Sequence, residues 1–342
     1  MTASVGLDPA IVEPWILGLD LGAQGPLRFT HVGNGKSNVT CLIEDAGGAR
    51  WVLRRPPVGG LLATAHDVAR EHRVLSALGP TDVPTPAVLG FTDDPTVTDA
   101  PLLLMEFVDG VVLDDAEVAE RLGPLTRSHL SLSVVRALAR AHAVDLYATG
   151  LEDLASHKPY AARQLTRWRR QWEASRTREL PAVEKLADRL AATMPEQREL
   201  TLVHGDFHLL NVIASTDGDE IRAILDWELC TLGDPVADLG GLLAYWPRVG
   251  DVAQWTFPVR PLSGFAAPAE LAELYAAVTG RDLTALPFWH ALALWKIAVI
   301  CEGVRRRALE DERNAARTGI PPASAVEDLV DEANHVLFGA GL

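Results

Sequence analysis

Basic residues are scarce in this chain of 342 residues: 31 Lys and Arg stand against 46 Asp and Glu, a formal net charge of −15. That balance argues against a general nucleic-acid-binding surface, which needs a positive field to meet phosphates. It reads as a solvating surface, with an acidic pocket for a cationic substrate as the alternative. Cysteine is limited to Cys41, Cys230 and Cys301, widely spaced and odd in number, so neither a disulfide framework nor a zinc site is suggested. A reducing cytoplasm is the expected setting. No basic residue precedes Arg28, so the N-terminal stretch lacks the positive region of a signal peptide. No apolar run approaches the roughly 18 residues of a membrane span, and a soluble chain with no membrane partner is expected. Internal repeats and low-complexity tracts are also missing. The length exceeds one typical core and suits two lobes.

Against these absences one stretch stands out. Residues 204 to 211 read His-Gly-Asp-Phe-His-Leu-Leu-Asn, and 15 positions after Asn211 a second apolar run ends in Asp226-Trp227-Glu228. Leu200 to Val203 and Val212 to Ala214 read as short buried strands, so the residues between them form a loop. An Asp, an Asn five positions on, and a further Asp at a strand end form the arrangement that holds a hydroxyl nucleophile and the Mg²⁺ of a nucleotide. In that reading Asp206 orients the hydroxyl and accepts its proton. The amide oxygen of Asn211 is a hard, neutral Mg²⁺ ligand, and Asp226, after the mostly apolar Ile221 to Leu225, supplies the charged one. The chemistry pointed to is phosphoryl transfer.

The organisation along the chain supports a small β-rich lobe followed by a larger helical one. Asn38 to Ile43 and Arg50 to Arg54 read as strands around the turn-forming Asp45-Ala46-Gly47-Gly48. A helix is expected over Ala65 to Leu78, stopped by Gly79-Pro80, then strands at Ala87 to Phe91 and Leu102 to Phe107. After Asp109-Gly110 the periodicity turns helical, near 131–145, 160–174, 181–193, 269–279, 287–310 and 322–337. Ahead of the first strand, His31 to Asn38 is a turn in which Gly33 and Gly35, with Ser37 and Asn38, would let backbone close over phosphates. Gly35-Lys36-Ser37 mimics the end of a Walker A motif, but Thr30 occupies the upstream glycine position and a strand follows, so that reading is rejected.

His204-Gly205-Asp206 to Asn211, Leu225 to Glu228, and Gly233-Asp234-Pro235 to Asp238-Leu239 together resemble the aminoglycoside phosphotransferase and choline kinase superfamily. Gly35 to Asn38, Val52 to Pro57 and Ala65 to Glu71 resemble a narrower group, the phosphotransferases similar to the kinase-like domain fused to some acyl-CoA dehydrogenases. The resemblance covers roughly residues 25 to 310. It implies an α+β, bilobal protein-kinase-like fold, with an N-terminal nucleotide-binding lobe over 1–107 and a C-terminal catalytic and substrate-binding lobe over 108–342. By the same resemblance the phosphate-gripping strand cation falls on Arg54 and its helix partner on Glu71, with Arg55 as an alternative gripper. Arg replaces the usual Lys there, which exchanges a point charge for a planar fork. Adenine would meet the Glu106 carbonyl and the Val108 amide.

Several residues carry a bland reading beside a functional one. His142 is expected to be a packed helix histidine, and His204 a brace for its loop. His208 is placed to touch phosphate or substrate, and Glu228 either assists a metal or contacts substrate. Asp234 and Asp238 suit capping or loop bracing, Asp238 preceding a helical run. Trp246, Trp255, Trp289 and Trp295 read mostly as core or lid packing. Trp289, Lys296 and Gly303 recur every seven residues, and Lys296 either meets an anionic substrate group or snorkels from an apolar helix.

The expectation is an enzyme moving the γ-phosphate of ATP or GTP, with Mg²⁺, to a hydroxyl-bearing small molecule. A hydroxy acid or hydroxyacyl-CoA is the acceptor that the subgroup resemblance implies. An aminoglycoside or a choline-like alcohol is the alternative, and a nucleotide-binding regulatory module without transfer is the alternative of another class.

Overall fold

A β-hairpin organises the first part of the chain, and the computed structural model shows what its alternation positions. The structure describes residues 7–32, 38–56, 67–113, 116–247, 262–310 and 320–342. Its elements in chain order are α1 (Pro9–Leu17), β1 (Arg28–Val32), β2 (Val39–Glu44), β3 (Arg50–Arg55), α2 (Val68–Leu78), β4 (Val88–Thr92), β5 (Leu102–Glu106), α3 (Ala116–Arg121), α4 (Pro124–His142), α5 (Tyr160–Ser175) and α6 (Pro181–Ala192). There follow β6 (Thr201–Val203), β7 (Val212–Ala214), β8 (Ile221–Ile224), β9 (Thr231–Gly233), α7 (Val236–Ala244), α8 (Pro268–Thr279), α9 (Leu286–Glu310) and α10 (Ser324–Gly339). Two compact units result, one of residues 1–109 and 222–230, the other of residues 110–221 and 231–342.

The first unit is built on an antiparallel sheet of order β1-β2-β3-β5-β4. The β2–β3 turn is set by Asp45, whose carboxylate accepts from the amides of Gln24 and Ala49, and by Gly48 at φ 87°. Side chains on β3 alternate between faces. Trp51 and Leu53 enter one core with Cys41, Ile43, Leu104 and the α1 residues Val12 and Ile16. Arg54 therefore takes the other face, where α2 lies. On α2 the buried positions Val68, Glu71, Val74, Leu75 and Leu78 form a helical stripe. Glu71 occupies a core position in that stripe, and a carboxylate so placed needs a partner.

The second unit is mostly helical. Its central helix is α9, 25 residues long and buried over much of its circumference, as a helix packed on several sides must be. It packs on α5, α6, α7 and α10. Gly240 on α7 allows a close approach to α9, since a Cβ there would stand 2.6 Å from the Trp289 carbonyl carbon. Strands β6 and β9 pair antiparallel, Thr201 with Gly233 and Val203 with Thr231.

Most expected elements fall within two or three residues of the observed ones. The helix expected near 131 begins at Pro124, because Pro at the first helical position lacks only an amide that the helix leaves unpaired. Helices α1 and α3 and strand β1 were not expected. Asp238 does not precede its helix: α7 starts at Val236 and Asp238 lies in its first turn. Among the described residues no helix is long and apolar enough to cross a membrane.

Candidate active site

Strand β6 delivers the loop of residues 204–208, whose backbone is fixed from below by a buried carboxylate. Asp238 accepts from the amides of His204 (2.6 Å) and Gly205 (2.9 Å), and meets His142 Nε2 at 3.2 Å. His142 Nδ1 lies 2.6 Å from the Tyr275 hydroxyl. Asp238, His142, His204 and Tyr275 are all buried, so the loop conformation is held by a satisfied internal network. Gly205 supplies the left-handed turn at φ 83°. Phe207 is buried and anchors the loop from its apolar side. His142 and His204 thus have the structural roles expected of them, and Asp238 braces the loop rather than a helix end.

The loop presents Asp206 with basic groups on both sides. Lys296, from α9, places Nζ 3.4 Å from Asp206 Oδ1 and donates to the Gly205 carbonyl at 2.8 Å. His208 Nε2 lies 3.3 Å from Oδ2. Burial opposes ionisation of Asp206, but Lys296 and then the two histidines outweigh it and hold the carboxyl well below the usual carboxylate range. Asn211 closes a short 3₁₀ turn and donates from Nδ2 to the Asp206 carbonyl at 2.9 Å, which leaves its amide oxygen as the available ligand atom.

A pocket opens beside Asp206 and Lys296. Its walls are largely aromatic: Tyr160 and Trp168 from α5, Tyr245 after α7, and Trp289 from α9. Tyr160 and Trp289 stack at 5.7 Å, and Trp168 donates to Gln164 on the next turn of its own helix. Burial, then Asp206, pushes the Tyr245 phenol well above its ordinary range, so it remains protonated. Of the heptad-spaced residues, Trp289 and Lys296 line this pocket, while Gly303 faces Ser175. Two heptads of drift and rise carry Gly303 away. Tyr160, Gln164 and Trp168 were not singled out from sequence. Their i, i+4, i+8 spacing was the available signal, one face of a helix.

In the first unit Arg54 holds two carboxylates. Its guanidinium reaches Glu71 Oε1 at 2.5 Å and Asp226 Oδ1 at 3.0 Å. Arg55 points to the opposite face and pairs with Asp99, which leaves the Glu71-facing position to Arg54 alone. Glu71 is only 1% exposed, so it is no solvated helix charge. Burial pushes it up to about 7, against the pull of Arg54. Asp226 is the one non-glycine residue with positive φ among those described, at φ 65°. Such a conformation costs on the order of 1 kcal/mol or more and persists only when its surroundings enforce it. Here the fully buried Trp227, bonded through Nε1 to the Ile224 carbonyl, fixes the next residue. Asn38 Nδ2 donates to Glu228 at 2.9 Å. Glu106 ends β5 opposite Trp51, and Val108 follows in the same unit. Gly33, Gly35, Ser37 and Trp255 lie outside the described residues.

A model of the phosphotransferase enzyme family matches residues 28–293. The chain belongs to this family. Among relatives of the chain, acyl-CoA dehydrogenase family member 10 of Mus musculus is 34% identical over 311 residues, covering 89% of the chain and 29% of the relative. The chain therefore spans less than a third of that protein's length. A solved structure from Ralstonia eutropha, provisionally named an aminoglycoside phosphotransferase, superposes with a TM-score of 0.78 at 29% identity, covering 98% of each chain. Amicoumacin kinase, solved with AMP-PNP, Ca²⁺ and Ami, superposes with a TM-score of 0.64 at 15% identity, covering 95% of this chain and 94% of that one. The fold is the kinase-like α+β fold.

Proposed function

We propose that this phosphotransferase moves the γ-phosphoryl group of ATP or GTP to a hydroxyl of a small molecule. The observation that carries the reading is the Asp206 loop: an ionised carboxylate, rigidly held and opening on a pocket, with an amide ligand five residues on. Asp206 takes the acceptor proton and aims the oxygen. Arg54, fixed by Glu71, steadies the nucleotide phosphates, and the Glu106 and Val108 backbone takes the base.

The residues present fit a nucleotide-bound Mg²⁺. Asn211 commits its amide nitrogen to the Asp206 carbonyl, leaving a hard oxygen, and Asp226 spends one oxygen on Arg54. Among the described residues no cluster of three His, Cys, Asp or Glu offers a metal cage, and Mg²⁺ needs none, since phosphate oxygens and water complete its shell. A nucleotide-bound Mg²⁺ would neutralise charge on the phosphates. Amicoumacin kinase, with AMP-PNP and Ca²⁺, supports a nucleotide and a divalent ion as cofactors.

For the acceptor, the likeness to an acyl-CoA dehydrogenase family member supports a hydroxy acid or hydroxyacyl-CoA. The pocket supports it over an aminoglycoside. Its lining carries two carboxylates, Asp206 and Asp238, both already engaged by protein groups, so a polycation finds little to bind.

The test is a mass-spectrometric search for phosphorylated product with Mg²⁺ and ATP or GTP. The panel spans hydroxyacyl-CoAs, hydroxy acids, choline-like alcohols and aminoglycosides, with Asp206→Asn as control. Product that disappears in the control identifies the acceptor class. Nucleotide binding without product from any class would favour the regulatory module instead.

A further inference from the structure

Lys296 stands 90 residues from Asp206 in sequence, yet its ammonium is in direct contact with the loop that would perform transfer. Its side chain is 16% exposed and passes the Trp168 ring, with Nζ 5.6 Å from the ring centroid. Burying a long, strongly hydrated side chain against an indole is costly unless the ammonium gains something specific. What it gains is a strong bond to the Gly205 carbonyl and a longer contact with Asp206 Oδ1, at 2.8 and 3.4 Å. An ammonium has three N–H donors, and these two contacts leave one on a residue that lines the pocket.

We propose that Lys296 is a catalytic residue for phosphoryl transfer. It locks the Gly205–Asp206 backbone and points its remaining N–H to the place where acceptor oxygen and phosphoryl group meet. The inference rests on the phosphotransferase reading above. An acceptor hydroxyl donating to Oδ1 would stand about 2.7 Å from it. An oxygen on the pocket side of Oδ1 then falls within hydrogen-bond reach of Nζ. In the step itself the acceptor proton passes to Asp206 Oδ1, and an acceptor lone pair forms the bond to the γ-phosphorus. The electron pair of the γ-phosphorus–oxygen bond leaves with the nucleoside diphosphate. A fixed ammonium beside that path offsets charge on the phosphoryl oxygens without reorganisation. The strong bond is to a backbone carbonyl and the weak one to the carboxylate. Lys296 can thus stay anchored while Oδ1 receives the hydroxyl.

Turnover of Mg-ATP tests this, with water as acceptor and with the acceptor that the product screen identifies. Lys296→Met keeps the apolar stem and removes the charge. The expected result is a kcat lower by about 100-fold, nucleotide KM within about threefold of wild type and an unchanged melting temperature. Lys296→Ala should regain turnover with added ethylammonium and not with tetramethylammonium, which has no N–H to donate. Wild-type kcat in Lys296→Met overturns the proposal. So does a loss that follows nucleotide binding or the melting temperature, or an alanine variant that ethylammonium leaves unchanged. Asp206→Asn separates the two readings. If it abolishes turnover while Lys296→Met does not, only the role of Lys296 fails; if it leaves turnover intact, the phosphotransferase reading fails.

Discussion

In the unit of residues 1–109 and 222–230 a guanidinium is held between two carboxylates, whereas in the other unit a carboxylate is held between two bases. The first cluster depends on its centre. Arg54, with the Trp227 amide, compensates Glu71 in the apolar stripe of α2, and without Arg54 the carboxylates of Glu71 and Asp226 are like charges close together. The second cluster does not depend on its centre in that way. The Asp206 loop is held through its backbone by Asp238, His142 and Tyr275, so the Asp206 side chain carries little of the architecture. The difference separates stability from chemistry. Where a charged group is the keystone, its loss unfolds; where it rests on an independent scaffold, its loss disables.

The sharpest way to break this comparison is Asp206→Asn. Transfer should fall by about 100- to 10,000-fold, the range that a positioned general base contributes, while the melting temperature stays near wild type. Product formation and a thermal melt on the same sample check both halves. A large drop in melting temperature would show that the loop does lean on its carboxylate. Arg54→Met should instead cost stability as well, destabilising the protein by about 3 kcal/mol, as expected when a buried pair loses one partner. Urea denaturation measures it.

A smaller effect tests the scaffold behind the pocket. Gly240→Ala drives a methyl into the α9 backbone at Trp289 and His290, at a cost of about 1–3 kcal/mol for overpacking. Denaturant midpoints would show it, and unchanged stability would mean that α7 and α9 separate more easily than their packing suggests. A further effect concerns pH. Glu71 rises from an ordinary 4.5 to about 7, so the native state binds its proton more tightly than the unfolded chain does. Its contribution to stability is therefore fully present below about pH 4.5, declines as pH rises and is gone above about pH 7. The stability of wild type minus that of Glu71→Gln should fall across that window. A flat difference would mean that Arg54 keeps Glu71 ionised throughout.

Much of the candidate site was legible in the chain because its chemistry is local. Asp206 and Asn211 share one short loop, and Gly205 and Phe207 between them declare a tight turn and an apolar anchor. The strand alternation that separates Arg54 from Arg55 was legible as well, but which of the two meets Glu71 was not. That depends on which face of the sheet receives α2. The same limit explains why Tyr160, Gln164 and Trp168 went unremarked. Three residues on one helical face look alike whether that face meets a core or a pocket.

What the sequence determined by itself was the order of most strands and helices and the short loop that carries Asp206 and Asn211. Each of these follows from residues within a few positions of one another, where periodicity, turn preference and spacing act directly. Tertiary structure alone decided that Asp238 would brace the loop from inside α7, that Glu71 would be buried against Arg54, and that Lys296 would cross 90 residues of sequence to reach Asp206. Those outcomes depend on long-range packing, because a side chain's partner is set by which faces the core brings together, and no local pattern encodes that.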